Sequence, residues 1–261
     1  MKIMKSIIFF LLITGIVLNK SYAQKIVLQE GEELNYLVYY GFIKLGEVNM
    51  KIISKKTEND GVVYYTRAEM KSYKGIPFVS LNSVFESEMV SKGMDLYTRR
   101  FKAIEYKEEG NIVIEYKFNY DSNFVYVKKE NRGKIERDER IPFNQNIRFQ
   151  DGLSLFYKAR LNSFAYDNFL IPVFMNESET SVNYYFSSTK DKIAVNIFDD
   201  DLTALRCSGV ANFTGVFGLS GEFAGWFSDD EARVPIKAQM NVMIGNITLE
   251  IDSYRRTGWK P

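Results

Sequence analysis

Histidine is absent from these 261 residues, and cysteine occurs once. The first absence removes Ser-His-Asp and Cys-His catalysis and the commonest zinc ligand. The second leaves no intrachain disulfide. A thiol needs an activating base to act as a nucleophile. Cys207, in the strand-like run Ala204-Leu205-Arg206-Cys207-Ser208, therefore reads as a small core residue. Proline is scarce, five in all, and no Pro- or Ser-rich linker interrupts the chain, so a single domain over 24–261 is expected. An excess of one charge is missing too. With 34 basic and 33 acidic residues the chain has no electrostatic footprint for nucleic acid. Mixed runs such as Lys128-Lys129-Glu130 and Arg137-Asp138-Glu139-Arg140 read as solvated hairpin ends.

The most informative apolar run stands at the start. Lys2 and Lys5 precede Ile7 to Leu18, and Ser21-Tyr22-Ala23 places small residues at the −3 and −1 positions of a cleavage site. This is the layout of a signal peptide over 1–23, too short in its apolar core for a comfortable membrane span. The expectation is export, with cleavage before Gln24 and a periplasmic or extracellular mature chain of 238 residues. No cysteine follows the run, so no lipid anchor and no stable membrane attachment are expected. Losing three lysines leaves 31 basic against 33 acidic residues.

Aromatics are plentiful, at 17 Tyr, 20 Phe and 2 Trp, and suit pleated, half-buried surfaces. Period-2 alternation dominates. Ile112, Ile114, Tyr116, Phe118 and Tyr120 form one apolar face, with Glu115, Lys117 and Asn119 between them. Leu34, Tyr36, Val38 and Tyr40 repeat the pattern, as do Ile236, Ala238, Met240, Val242 and Ile244. Turn signals such as Asn59-Asp60-Gly61, Glu109-Gly110-Asn111 and Arg132-Gly133 recur at short intervals. The pattern predicts an all-β antiparallel meander of about a dozen strands, curled into a barrel or strongly bent sheet. One segment departs from it. Leu153, Phe156 and Tyr157, followed by Ala159 and Leu161, predict one short helix near 151–161, with Asp151 as N-cap. It could plug one end of a barrel or serve as a connector.

Three clusters invite a chemical reading. Gly215, Gly218, Gly221 and Gly225 fit no phosphate-binding spacing and read as bends or bulges. Asp199-Asp200-Asp201 lacks the alternation of a calcium loop and reads as a hairpin turn. Neither a metal nor a cofactor is expected. The densest mixture is Trp226, Ser228, Asp229, Asp230 and Arg233, the candidate ligand-binding motif. Its alternative is a structural turn, in which Ser228 or Asp229 caps backbone amides and Arg233 folds back onto Asp229 or Asp230.

Three segments carry a family resemblance. They are Leu34-x-Tyr36-x-Val38-x-Tyr40-Gly41-x-Ile43-x-x-Gly46-Glu47, Asp151-x-x-Ser154-x-x-Tyr157-x-x-Arg160 and Trp226-x-Ser228-Asp229-Asp230-x-x-Arg233-x-Pro235. In this order the chain resembles the exported domain-of-unknown-function 3108 family of Gram-negative bacteria. The resemblance implies an all-β exported protein with no accepted catalytic residues. Three functions remain open. One is non-catalytic binding of an apolar or lipid-like ligand inside the curled sheet. Another is a glycan hydrolase using carboxylates alone. The third is a structural partner of other envelope proteins, using exposed aromatic patches.

Overall fold

In this computed structural model, the described residues are 27–261 except 60, 77–79, 94, 216–219 and 243–244. The expected signal peptide and its cleavage site lie outside them, as does Gly218. Alternating burial builds fourteen strands: β1 (Glu33–Tyr40), β2 (Ile43–Glu58), β3 (Gly61–Ser72), β4 (Asn82–Lys92), β5 (Asp95–Glu105), β6 (Ile112–Asn119), β7 (Phe124–Asn131), β8 (Lys134–Pro142), β9 (Asn168–Met175), β10 (Ser178–Ile193), β11 (Leu202–Ala211), β12 (Gly221–Ser228), β13 (Pro235–Val242) and β14 (Gly245–Arg255). The single α-helix among the described elements, α1 (Ser154–Asn162), falls between β8 and β9. In β1 the buried positions are Leu34, Tyr36 and Val38, which is the alternation of a strand with one wet face.

All fourteen strands form one antiparallel sheet in the order β8-β7-β6-β5-β4-β3-β2-β1-β14-β13-β12-β11-β10-β9. Hairpins supply every neighbour but one. The exception is β1 with β14, which joins the first strand to the last through eight paired residues. The break in the sheet is thereby moved to the middle of the chain, between β8 and β9. The sheet is strongly curved but not closed. Bulges at Asn35/Tyr36, Ile52/Ser54, Glu88/Met89, Phe186/Lys190 and Trp226/Phe227 bend it. The bulge in β2 turns Ile53 outward, where it is half exposed.

The curl brings β5 and β9 to either side of residues 149–151, although they lie far apart in strand order. The Thr98 amide donates to Phe149 O at 2.8 Å, the Gln150 amide to Pro172 O at 2.9 Å, and the Phe174 amide to Gln150 O at 2.9 Å. Each free edge is protected in its own way. Strand β8, Lys-Ile-Glu-Arg-Asp-Glu-Arg-Ile-Pro, is exposed almost throughout and charged, and β9 carries Pro172 and the Gln150 bridge.

Because every pairing is antiparallel, alternate turns fall at opposite ends of the sheet. At one end lie the turns β1–β2, β3–β4, β5–β6, β7–β8, β9–β10, β11–β12 and β13–β14. At the other lie the remaining turns, α1 and the chain's last residues. The core divides accordingly. A central cluster packs Leu153, just ahead of α1, with Tyr157 and Leu161 of α1, on β1–β3 and β14. A second, largely aromatic cluster joins Phe101, Tyr116 and Phe118 to Phe143, Phe149 and Phe174. A third surrounds Tyr184, Phe186 and Phe227.

Candidate functional site

The helix end is built from buried polar groups. Asp151 is fully buried. Its Oδ1 accepts the amides of Leu153 (2.7 Å) and Ser154 (2.9 Å), so it caps the turn leading into α1. Its Oδ2 accepts the hydroxyls of Ser87 (2.6 Å, β4) and Thr98 (2.7 Å, β5). Burial pushes the Asp151 carboxyl above its ordinary value, against the pull of these four donors. The cap thus ties the start of the helix to the sheet.

The other end of α1 is tied down by charge. Arg160 is buried and grips Glu32 with both terminal nitrogens, at 2.5 and 3.0 Å. Its Nη2 also donates to Val27 O (2.9 Å) and Ala232 O (3.0 Å). Arg256, just past β14, donates to the same Glu32 carboxylate. Burial alone would raise the Glu32 carboxyl, but the two guanidinium groups outweigh it and hold the group below its ordinary value. Burial lowers Arg256, with Arg160 beside it adding to the effect. One carboxylate between two arginines joins the segment before β1, the helix and the chain's end.

The candidate motif sits next to this knot. Trp226, on β12, donates from Nε1 to Asp191 Oδ2 at 2.8 Å. Asp230, rather than Ser228 or Asp229, provides the turn's main cap. Its Oδ1 accepts the amides of Ala232 (2.7 Å) and Arg233 (3.1 Å) and the Ser228 hydroxyl (3.0 Å), and its Oδ2 accepts Trp259 Nε1 (2.8 Å). Ser228 Oγ in turn accepts the Val234 amide at 2.8 Å. Asp229 pairs with Lys190 (2.5 Å) and Arg233 (3.0 Å), and Lys190 first, then Arg233, holds its carboxyl below the ordinary range. Arg233 takes a positive φ of 49° and stacks over the Phe164 ring. Ser228, Asp229, Asp230 and Arg233 close one turn on one another and on its backbone, while Trp226 turns to Asp191, Asp229 also to Lys190 and Asp230 also to Trp259, and Arg233 Nε is left without a hydrogen-bond partner among the described residues.

The open volume lies elsewhere. A cavity of about 500 Å³ runs between the curved sheet and α1. Its walls include Met50, Phe101, Ile114, Tyr184, Phe223 and Met240, and α1 contributes Leu155, Phe156 and Ala159 to its floor. The interior faces read from the sequence converge only in part. Tyr36, Ile114, Tyr116 and Met240 line the cavity, whereas Phe118 packs against Tyr120, Phe149 and Phe174 in solid core. Small residues make room. Gly225 lines the wall, and a Cβ there would meet Phe227 at 3.5 Å and the Lys237 carbonyl oxygen at 4.0 Å, both ordinary contact distances. Cys207, also on the wall, has its thiol pushed by burial up to about 12. The lining carboxylates, Glu105 and Glu222, stand at the end opposite the helix floor, and Glu105 is held by Lys107 at 2.5 Å. Among the described residues no cluster of three or more His, Cys, Asp or Glu is placed to hold a metal ion.

A curved meander with a greasy interior and a helical floor defines a β-barrel-like protein. Residues 35–252 match the family described as "Protein of unknown function (DUF3108)", and the chain belongs to that family. Its fold resembles a crystal structure of a beta-barrel-like protein of the domain-of-unknown-function 1849 family from Brucella abortus. That match has a TM-score of 0.58 at 7% identity and covers 88% of this chain and 98% of that one. Two further structures align at TM-scores of 0.35 and 0.33. One is a candidate exported protein with YmcC-like fold from Bacteroides fragilis (8% identity, 87% of this chain, 97% of that one). The other is a candidate lipoprotein from Parabacteroides distasonis (6% identity, 87% and 96%). No protein of curated function matches the chain. No helix among the described residues is long and apolar enough to cross a membrane.

Proposed function

We propose that this protein is an exported, non-catalytic binder of an apolar, lipid-like ligand, held in the cavity between sheet and helix. The observation that carries the reading is the cavity itself. At about 500 Å³ it has the size of a small-molecule site, and its walls are almost wholly aliphatic and aromatic. Burying a long acyl chain there would stabilise the complex by about 25 cal/mol per Å² of apolar surface removed from water. A carboxylate glycosidase would instead need two acids flanking the bond to be cut. Here the buried acids of the helix end, Asp151 and Glu32, are committed to a cap and to two arginines. Export rests on the layout of residues 1–23.

Titration with a fluorescent long-chain fatty acid tests the reading. Saturable binding near one probe per chain is expected, with a blue shift reporting an apolar site. Absence of uptake across chain lengths would reject it.

A further inference from the structure

We propose that the ligand carries a neutral, hydroxyl-bearing head of the monoacylglycerol kind, held at the cavity's mouth by the Ser83 hydroxyl and the Glu105 carboxylate, with its chain directed at α1. This rests on the lipid-like reading of the cavity and adds to it the head group and its direction.

The wall's buried hydroxyls divide by what they already hold. Tyr36 OH donates to Pro235 O at 2.9 Å, and Tyr184 OH accepts Asn162 Nδ2 at 3.0 Å. Tyr116 OH accepts the Glu177 amide at 3.2 Å. On the floor, α1 offers the apolar Leu155, Phe156 and Ala159. Ser83 differs. It lines the cavity and is only 3% exposed, yet its hydroxyl makes no hydrogen bond among the described residues. Its place on β4 fixes its direction. Ser83, Phe85 and Ser87 share one face, and Ser87 bonds the buried Asp151, so that face is the interior. Glu105 stands directly across from Ser83 on β5, on the same face, and Met70 stands across from it on β3. Leaving a buried hydroxyl without a partner is costly. This one borders the cavity at the end away from the helix, where a ligand atom can reach it.

Charge selects the head. Glu105 holds Lys107 at 2.5 Å, so the pair is neutral as it stands. Glu222, half-exposed on the same rim, makes no ion pair among the described residues. A carboxylate or phosphate head would meet these acids as a like charge. A hydroxyl can donate to Glu105 and accept from Ser83 with no charge to neutralise. The cavity is thus polar at its mouth and apolar at its floor, and a ligand with one polar head enters tail first.

Calorimetric titration tests the proposal, with a monoacylglycerol, the fatty acid and the alkylamine of one chain length. The monoacylglycerol is expected to bind about tenfold more tightly than the fatty acid. Ser83→Ala should bring the two close to equal. Its urea midpoint should not move, because the fold loses no hydrogen bond. Glu105→Gln frees Lys107 and should turn the preference toward the fatty acid. Equal affinities in the wild type, or tightest binding of the alkylamine, overturn the head assignment and leave the ligand reading standing. A preference that either variant leaves unmoved also overturns the assignment. Wild-type protein that binds none of the three rejects the ligand reading itself, and the head assignment with it.

Discussion

At the scale of single residues, buried charge is the dominant expense. Glu32 stands between Arg160 and Arg256 with almost no exposure. Removing one partner of such a group leaves an uncompensated charge, so Glu32→Gln should cost about 3–5 kcal/mol in urea unfolding. The pH dependence follows from its lowered folded-state value. Glu32 contributes its stability above its ordinary 4.5 and loses it as pH falls through the still lower folded value, so the Gln variant should lack this acid limb. Asp151 has the opposite sign. Its raised value means that its contribution is present in acid and lost as pH rises through that value. Asn can accept both amides and donate toward Ser87 and Thr98, whose hydroxyls can turn to accept. Asp151→Asn should therefore cost under about 1 kcal/mol at neutral pH. Asp151→Ala strands buried donors and should cost about 3 kcal/mol or more. Chemical denaturation of both across the pH range checks the pair. In the Trp226 motif, Asp229→Ala and Arg233→Ala should couple by roughly 0.5–1 kcal/mol in a double-mutant cycle, because their side chains are only partly exposed. Asp230 and Arg233 side chains should add independently, since Asp230 holds the Arg233 backbone amide. Sequence marked Asp151, Arg160, Asp230 and Arg233 as unusual. It did not mark Glu32 or Arg256, because a lone acid and a lone base far apart in the chain leave no local pattern.

At the scale of elements, the strands were legible because alternation and turn chemistry are local. The helix was legible for the same reason, although its expected start at Asp151 is a capped turn and α1 proper opens at Ser154. The pairing of β1 with β14 was not legible, since no periodicity links residues more than two hundred positions apart. Some motif positions become intelligible only through that packing. A side chain on Gly46 would strike Lys71 O at 2.2 Å, so β2 can approach β3 there only without one. The seam between β8 and β9 offers a test at this scale. Glu177, on the β9–β10 turn, pairs with Lys129 and Arg137, and its amide donates to Tyr116 OH at 3.2 Å. Glu177→Gln should raise amide hydrogen exchange in β8 and β9 while leaving β1 and β14 unchanged. Equal exchange everywhere would mean that the seam is held by packing alone.

At the scale of the whole molecule, the interior divides into solid and hollow parts. Phe118 belongs to the solid part, where Phe118→Ala should cost about 3–5 kcal/mol. Gly225 belongs to the hollow part, and its backbone is in a region open to any residue. Gly225→Leu should fill space without straining the strand, lowering fatty-acid affinity at least tenfold with little loss of stability. The most direct test is native mass spectrometry of wild-type and Gly225→Leu protein, each purified from its own cells without detergent. The account predicts one apolar molecule retained by the wild type and missing from the variant. Wild-type protein that emerges empty, or carries a glycan in its place, would contradict it.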